Sequence, residues 1–195
     1  MIQYIVILLD DTSVPFCHYP NKKQERRLMP LDTLKAGILY AMKENINVQF
    51  VYPSYPLPVD FEEVIESIDH VKIKPLAISD DADVVVLAGM EEAELLVRKG
   101  AKYATSYVLR IDKDSLFAQS SLIATILNKV ARLNIVITDL EHFSNADFDA
   151  YKLWLQEINK SVASLYVDGK SPQLNLLTDR MMLDGMNNCG AGDTC

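Results

Sequence analysis

Apolar runs of strand length alternate with helix-spaced patterns along the whole chain. Ile2–Leu9 is almost continuously apolar, the pattern of a strand buried on both faces. Pro30 suits the first turn of a helix, and Leu31, Leu34, Ile38, Ala41 and Met42 then line one side of it. Val48–Tyr52 predicts a second strand, stopped by Pro53, Pro56 and Pro58. A short helix over Asp60–Ile68 and a weak strand at Val71–Ile73 follow. Asp83–Ala88 reads as a strand, Glu91–Lys99 as a helix closed by Gly100, and Thr105–Ile111 as another strand. Leu116, Ser120, Ile123, Leu127 and Val130 mark one long helix, after which Asn134–Thr138 returns to strand. Ser144-Asn145-Ala146-Asp147 is the clearest helix start, because Ser144 can accept a backbone N–H while Asp147 sits on the positive end of the dipole. Phe148, Tyr151, Leu155, Ile158, Val162 and Leu165 then form a core-facing stripe, and Leu174–Leu177 is a short final strand.

This alternation predicts an α/β fold built on parallel strands, since each parallel return needs a crossover of about a dozen residues. A partial (β/α) barrel satisfies it, and so does an open doubly wound sheet. The length of 195 residues suits one domain with or without a short tail. A formal net charge of −8 argues against nucleic-acid or anionic-membrane partners. The one basic cluster, Lys22-Lys23-Gln24-Glu25-Arg26-Arg27, reads as a solvated loop, with a clamp for an acidic peptide or phosphate as the alternative. Ile2–Leu9 is too short to span a membrane and runs into Asp10-Asp11. Three cysteines in two distant groups argue against a disulfide framework, so a cytoplasmic protein is expected.

Parallel sheets bind ligands beyond the carboxyl ends of their strands. The first such loop, Asp10 to Asn21, gathers acids, hydroxyls, Cys17 and His18. The Cys17–His18 pair suggests a nucleophile or metal ligands, but neighbours in an extended loop point apart. No glycine-rich phosphate loop, paired-cysteine zinc site or serine-hydrolase elbow is present. Asp139, Glu141 and His142 follow a strand and could serve as acid or base groups, or simply form a helix entry. Arg180 could hold a carboxylate or pair with Asp179 or Asp184. Two of the three cysteines, Cys189 and Cys195, fall in the Gly-rich tail Asn187-Asn188-Cys189-Gly190-Ala191-Gly192-Asp193-Thr194-Cys195.

Three stretches carry a family resemblance: ILLDDTSVPFCHYPN, MPLDTLKAGILYAMKENINVQFVYP and PQLNLLTDRMMLDGMNNCGAGDT. With them the chain resembles the radical SAM/SPASM peptide maturases, and within these the CXXX repeat peptide maturases. The resemblance implies a radical-SAM-like partial barrel over residues 1–180 and the start of a SPASM-like segment over 181–195. In that family a C-x3-C-x2-C motif follows the first strand, and its three thiolates hold a 4Fe–4S cluster. Ser13, Cys17 and Pro20 take those places here, with Tyr19 in the aromatic position, so the motif is degenerate. The Gly-Gly-Glu expected after the second strand is replaced by Tyr52-Pro53-Ser54. Cys189 and Gly192 match the opening of a SPASM domain, where Cys189 would be a metal ligand together with cysteines further downstream.

What the resemblance implies for function follows from those departures. No cofactor is expected in this stretch itself; a 4Fe–4S cluster belongs to a longer protein, and S-adenosylmethionine lacks two of its hallmarks. No residue is assigned a catalytic role. The expected activity is that of a maturase component for a small ribosomally made Cys-repeat peptide, inactive by itself as a chain cut short. The alternative is a non-catalytic scaffold that presents the precursor peptide to a partner enzyme. Phe16, Tyr52 and Arg180 are the residues expected to touch such a peptide.

Overall fold

The computed structural model describes residues 3–17 and 25–178. Tyr19, Pro20, Arg180 and Cys189, and the segment 181–195, lie outside the described residues. Those residues fall into two compact units, one of residues 3–15 and 25–86, the other of residues 16–17 and 87–178. Both are α/β, and every strand pairing within them is parallel.

The first unit contains β1 (Tyr4–Leu8), α1 (Leu31–Glu44), β2 (Asn47–Val51), α2 (Val59–Ile65), β3 (His70–Pro75) and most of β4 (Val84–Leu87). Its strands pair in chain order, β1 with β2, β2 with β3 and β3 with β4. A doubly wound sheet needs a reversal of that order, and this unit contains none. Alternation sorts the side chains. Ile5 and Ile7 share a face with Val48 and Phe50, and the core of this face is completed by Leu34, Ile38 and Ala41 of α1 and Phe61 and Ile65 of α2. Helix α1 begins at Pro30 and ends at Asn45, whose left-handed φ of 53° closes it. Its buried line is Leu34, Ile38 and Ala41, whereas Met42, expected on the same side, is 61% exposed. Residue 42 lies 100° further round the helix than Ala41, which is enough to leave a stripe this narrow.

The second unit holds α3 (Met90–Lys99), β5 (Ser106–Ile111), α4 (Lys113–Ala118), α5 (Ser120–Leu127), β6 (Arg132–Ile137), α6 (Asn145–Val167), β7 (Gln173–Leu174) and α7 (Asn175–Thr178). Its strands also pair in chain order. The single long helix expected over Leu116–Val130 is two helices, broken at Gln119 (φ −121°, ψ 28°). Neither Gly nor Pro marks the break; the Ser120-Ser121 pair that follows suits a helix start better than an interior. The Ser144 start forms as a full capping box with Asp147. The buried line of α6 runs through Trp154, Ile158 and Val162, and Phe148 instead packs on Phe143 with ring centroids 5.3 Å apart. The last strand is only two residues long. Asn175 turns into helix and its side-chain amide donates to the Ile135 carbonyl (3.0 Å) and accepts from the Ile135 N–H (2.8 Å), replacing the next strand residue.

Candidate functional site

Three polar constellations stand out, two in the first unit and one in the second. The first is the turn after β1. Asp10 is buried, yet its carboxylate accepts from the Thr12 N–H (2.7 Å), the Thr12 hydroxyl and the Tyr55 hydroxyl (2.8 Å). Burial opposes ionisation of Asp10, but these bonds together hold its carboxyl below the usual carboxylate range. The same contact, after burial itself, pushes the Tyr55 hydroxyl up to about 12. Arg26 sits 4.4 Å above the Tyr55 ring, a cation–π contact that fixes the outer side of the turn.

Ser13, the residue in the first cysteine place of the family motif, is fully buried. Its hydroxyl donates to the Val51 carbonyl (2.8 Å) and accepts from the Asp10 N–H (3.0 Å). It therefore stitches the turn after β1 to the end of β2. Beside this turn, Leu8, Leu9, Leu28, Met29, Pro30 and Thr33 line a cleft of about 520 Å³, with the Asp11–Arg27 ion pair (2.8 Å) at its rim. The cleft adjoins the outer edge of β1. The Asn47 N–H donates to the Gln3 carbonyl and the Leu9 N–H donates to the Val51 carbonyl, so Gln3, Ile5, Ile7 and Leu9 address β2. Tyr4, Val6 and Leu8 consequently turn their N–H and C=O groups to the other side. No described strand pairs there, and Leu8 is 51% exposed. Past the strand's end the chain's own segment lies on this edge, through the antiparallel bridge Asp10–Leu28.

The second constellation is an ionic cluster on the helix-covered face. Lys72 and Lys74 of β3 share the face of Phe50 and Tyr52. Lys74 Nζ lies 2.6 Å from Asp81 and 4.4 Å above the Tyr52 ring. Lys72 pairs with Asp81 (2.8 Å) and Glu66. Tyr52 is almost fully buried, and its hydroxyl donates to Glu62 (3.2 Å). Burial first, then Glu62, drives the Tyr52 hydroxyl far above its ordinary range. Lys72, Lys74, Asp81 and Glu66 are paired with opposite charges and Glu62 accepts from Tyr52, so the cluster holds β3 to its surroundings rather than presenting a free group.

The third is in the second unit, where Cys17 and Arg110 meet. Val108 and Arg110 are in register with Asn134 and Val136, which puts all four on one face of the sheet, opposite Leu109 and Ile135. Arg110 is 9% exposed. It donates from Nη1 to the Cys17 carbonyl, its one hydrogen bond among the described residues, and no described carboxylate lies within ion-pair reach. Burial pulls the guanidinium below its usual value, and the nearby Cys17 thiol partly offsets that. Phe16, half-buried, belongs to the same short segment. Cys17 is a free thiol.

The remaining sequence candidates are scattered. Asp139 accepts from the Lys113 N–H (3.0 Å), while Glu141 and His142 are exposed and 3.9 Å apart. Lys113 binds Asp147 (2.8 Å) within the α6 capping box. Among the described residues no group of three His, Cys, Asp or Glu side chains could hold a metal ion, and no helix is long and apolar enough to cross a membrane. Arg110 escaped the sequence reading, although a signal existed: a lone arginine inside the strand Ser106-Tyr107-Val108-Leu109-Arg110-Ile111, whose other members after Ser106 are apolar. No family model, curated protein or solved structure matches the chain.

Proposed function

We propose that this protein is a peptide-binding component of a radical-SAM/SPASM-like maturation system, and that its strands wind as a partial (β/α) barrel. Its substrate is a small ribosomally made peptide with repeated cysteines, which it holds for a partner enzyme. The observation that supports binding is the β1 edge beside the apolar cleft, on which no described strand pairs. An extended peptide can add to such an edge through main-chain hydrogen bonds and place alternate side chains in the cleft. Exposed Leu8 and the lining residues Leu28 and Met29 supply the apolar contact. The engaged Ser13 hydroxyl favours holding over cluster chemistry, since a group buried between Asp10 and Val51 is badly placed to serve as an iron ligand.

The test is a titration of the isotope-labelled protein with a synthetic Cys-x-x-x repeat peptide, read by amide hydrogen exchange. Binding should slow exchange at Tyr4, Val6 and Leu8 and leave the β2-facing amides of Ile5 and Ile7 unchanged. Saturating peptide without protection at those three amides overturns the edge mode. The absence of any binding overturns the peptide reading altogether. Anaerobic iron–sulfur reconstitution is the complementary measurement: a 4Fe–4S absorption band at stoichiometric iron in this 195-residue chain would refute the non-catalytic assignment.

A further inference from the structure

The segment lying across the end of β1 shows that this edge accepts a strand, and also where that strand stops. Around the Asp10–Leu28 bridge the Asp11 N–H donates to the Arg27 carbonyl (3.3 Å) and the Met29 N–H donates to the Leu9 carbonyl (2.8 Å). Antiparallel register then sets Met29 opposite Leu9. The next residue is Pro30, which has no N–H to continue the pairing and leads into α1 instead. The strap from Arg27 to Met29 therefore ends there. The edge from Leu8 back to Tyr4, on which no described strand pairs, is open to a second segment in line with it.

The strap and α1 also decide which side chain of such a segment meets the cleft. Ile5, Ile7 and Leu9 lie on the α1 side of the sheet. Residues directly opposite each other in neighbouring strands share a face, so a residue docked opposite Ile7 points to the α1 side, one strand repeat from Met29. On that side the helix offers Thr33, which lines the cleft. One turn further, Gly37 brings the helix backbone against the strand: a Cβ there would lie 3.5 Å from Ile7 Cδ1. Leu28, Met29 and Pro30 close the end, and the cleft of about 520 Å³ has room for a large apolar side chain.

We propose that this cleft is an anchor pocket selecting one large apolar residue of the bound peptide, the residue opposite Ile7. The Arg27–Met29 strap fixes that register by occupying the edge beyond Leu8. The inference rests on the peptide reading given above and adds its side-chain specificity. The main chain of any extended peptide suits the edge, whereas Leu28, Met29 and Thr33 distinguish a leucine or phenylalanine from a small or polar residue. Peptide residues opposite Tyr4, Val6 and Leu8 point to the other face and stay out of the cleft.

Three Cys-x-x-x repeat peptides test the pocket, alike except at one central x position that carries alanine, leucine or asparagine, with alanine at every other x. Leucine should bind about tenfold more tightly than alanine, because it buries a larger apolar side chain. Asparagine, similar to leucine in shape but polar, should gain nothing over alanine. Thr33 is exposed on the first turn of α1, so Thr33→Trp fills the cleft without disturbing the core, and it should bring the leucine and alanine peptides to equal affinity. With p-benzoylphenylalanine in place of the leucine, irradiation should crosslink the peptide to Leu28, Met29 or Thr33; crosslinks only to other residues overturn the register. Equal affinities of the three peptides for the wild-type protein, with the Tyr4, Val6 and Leu8 amides still protected, overturn the pocket and leave the edge reading standing. Failure of all three to bind overturns the peptide reading itself and the pocket with it, so the two failures are distinguishable.

Discussion

Replacing Ser13 by alanine should loosen the turn after β1 without affecting the second unit. The Ser13 hydroxyl makes two buried bonds, to the Val51 carbonyl at 2.8 Å and from the Asp10 N–H at 3.0 Å. Each such bond contributes roughly 1 kcal/mol net, and a buried group left without a partner adds a further penalty of about 1 kcal/mol or more. Water cannot take the place of the lost hydroxyl at a fully buried position without opening the turn. A loss of roughly 2–3 kcal/mol is therefore expected. Because the described residues form two compact units, a global melting curve would mix their responses, and amide exchange is the better assay. The Val14 amide, bonded to the Tyr52 carbonyl at 3.1 Å, and the Leu9 amide, bonded to the Val51 carbonyl at 3.1 Å, report the local opening. A 2 kcal/mol loss corresponds to about 30-fold faster exchange at both. The Thr138 amide, bonded to Ile111 in the second unit, is the control and should not change. Ser13→Cys keeps the side-chain shape but is bulkier and offers only a weak sulfur donor and acceptor, so it should lose at least nearly as much. Acceleration below about threefold at Val14 and Leu9, which is under 1 kcal/mol, would refute the stitching role.

Asp81 carries an acid-sensitive link. Burial opposes its ionisation, but the bonds from Lys72 and Lys74 outweigh this and set its carboxyl well below the ordinary value of 3.8. A depressed folded-state value contributes stability that is complete above the unfolded value and is lost as pH falls through the folded one. Asp81→Asn should therefore flatten the acid limb of the first unit's stability profile below about pH 4, read by amide exchange at Tyr52 and Asp83; an unchanged limb would contradict the assignment. In ultraviolet titration Tyr55 should ionise near 12, and Asp10→Asn should bring it back toward 10.0, because the Asp10 hydrogen bond and charge are removed. A midpoint that does not move would place the cause elsewhere. Asp147, held to about 2 first by the Lys113 hydrogen bond and then by Ser144, should titrate closer to 3.8 in Lys113→Met, as followed by carboxyl NMR shifts.

How far the sequence reveals this protein depends on whether periodicity or topology controls the feature. Strands and helices are legible wherever local pattern decides them: the apolar run of β1, the Leu34–Ile38–Ala41 line and the Ser144–Asp147 box all mark real elements, although β1 is not buried on both faces as expected, since Leu8 is 51% exposed. Boundaries fail where a side chain substitutes for backbone. Asn175 continues the β6 ladder with its amide, so an apolar run expected to extend to Leu177 ends as a strand at Leu174. The break at Gln119 is hidden for another reason, because Leu116 and Ile123 keep the same helical phase on both sides of it.

The sites divide along the same line. Cys17 attracts notice as a residue type, and Ser13 only through the spacing of a family motif, but neither fact predicts their environments. Ser13 faces Val51 because parallel pairing brings the ends of β1 and β2 together across 38 residues of sequence. Arg110 meets Cys17 across 93 residues. What the sequence does contain is a charge at an alternating position of a strand whose neighbours are apolar. That pattern marks Arg110 as a residue type, but its meeting with the Cys17 carbonyl is set by topology and not by any local signal.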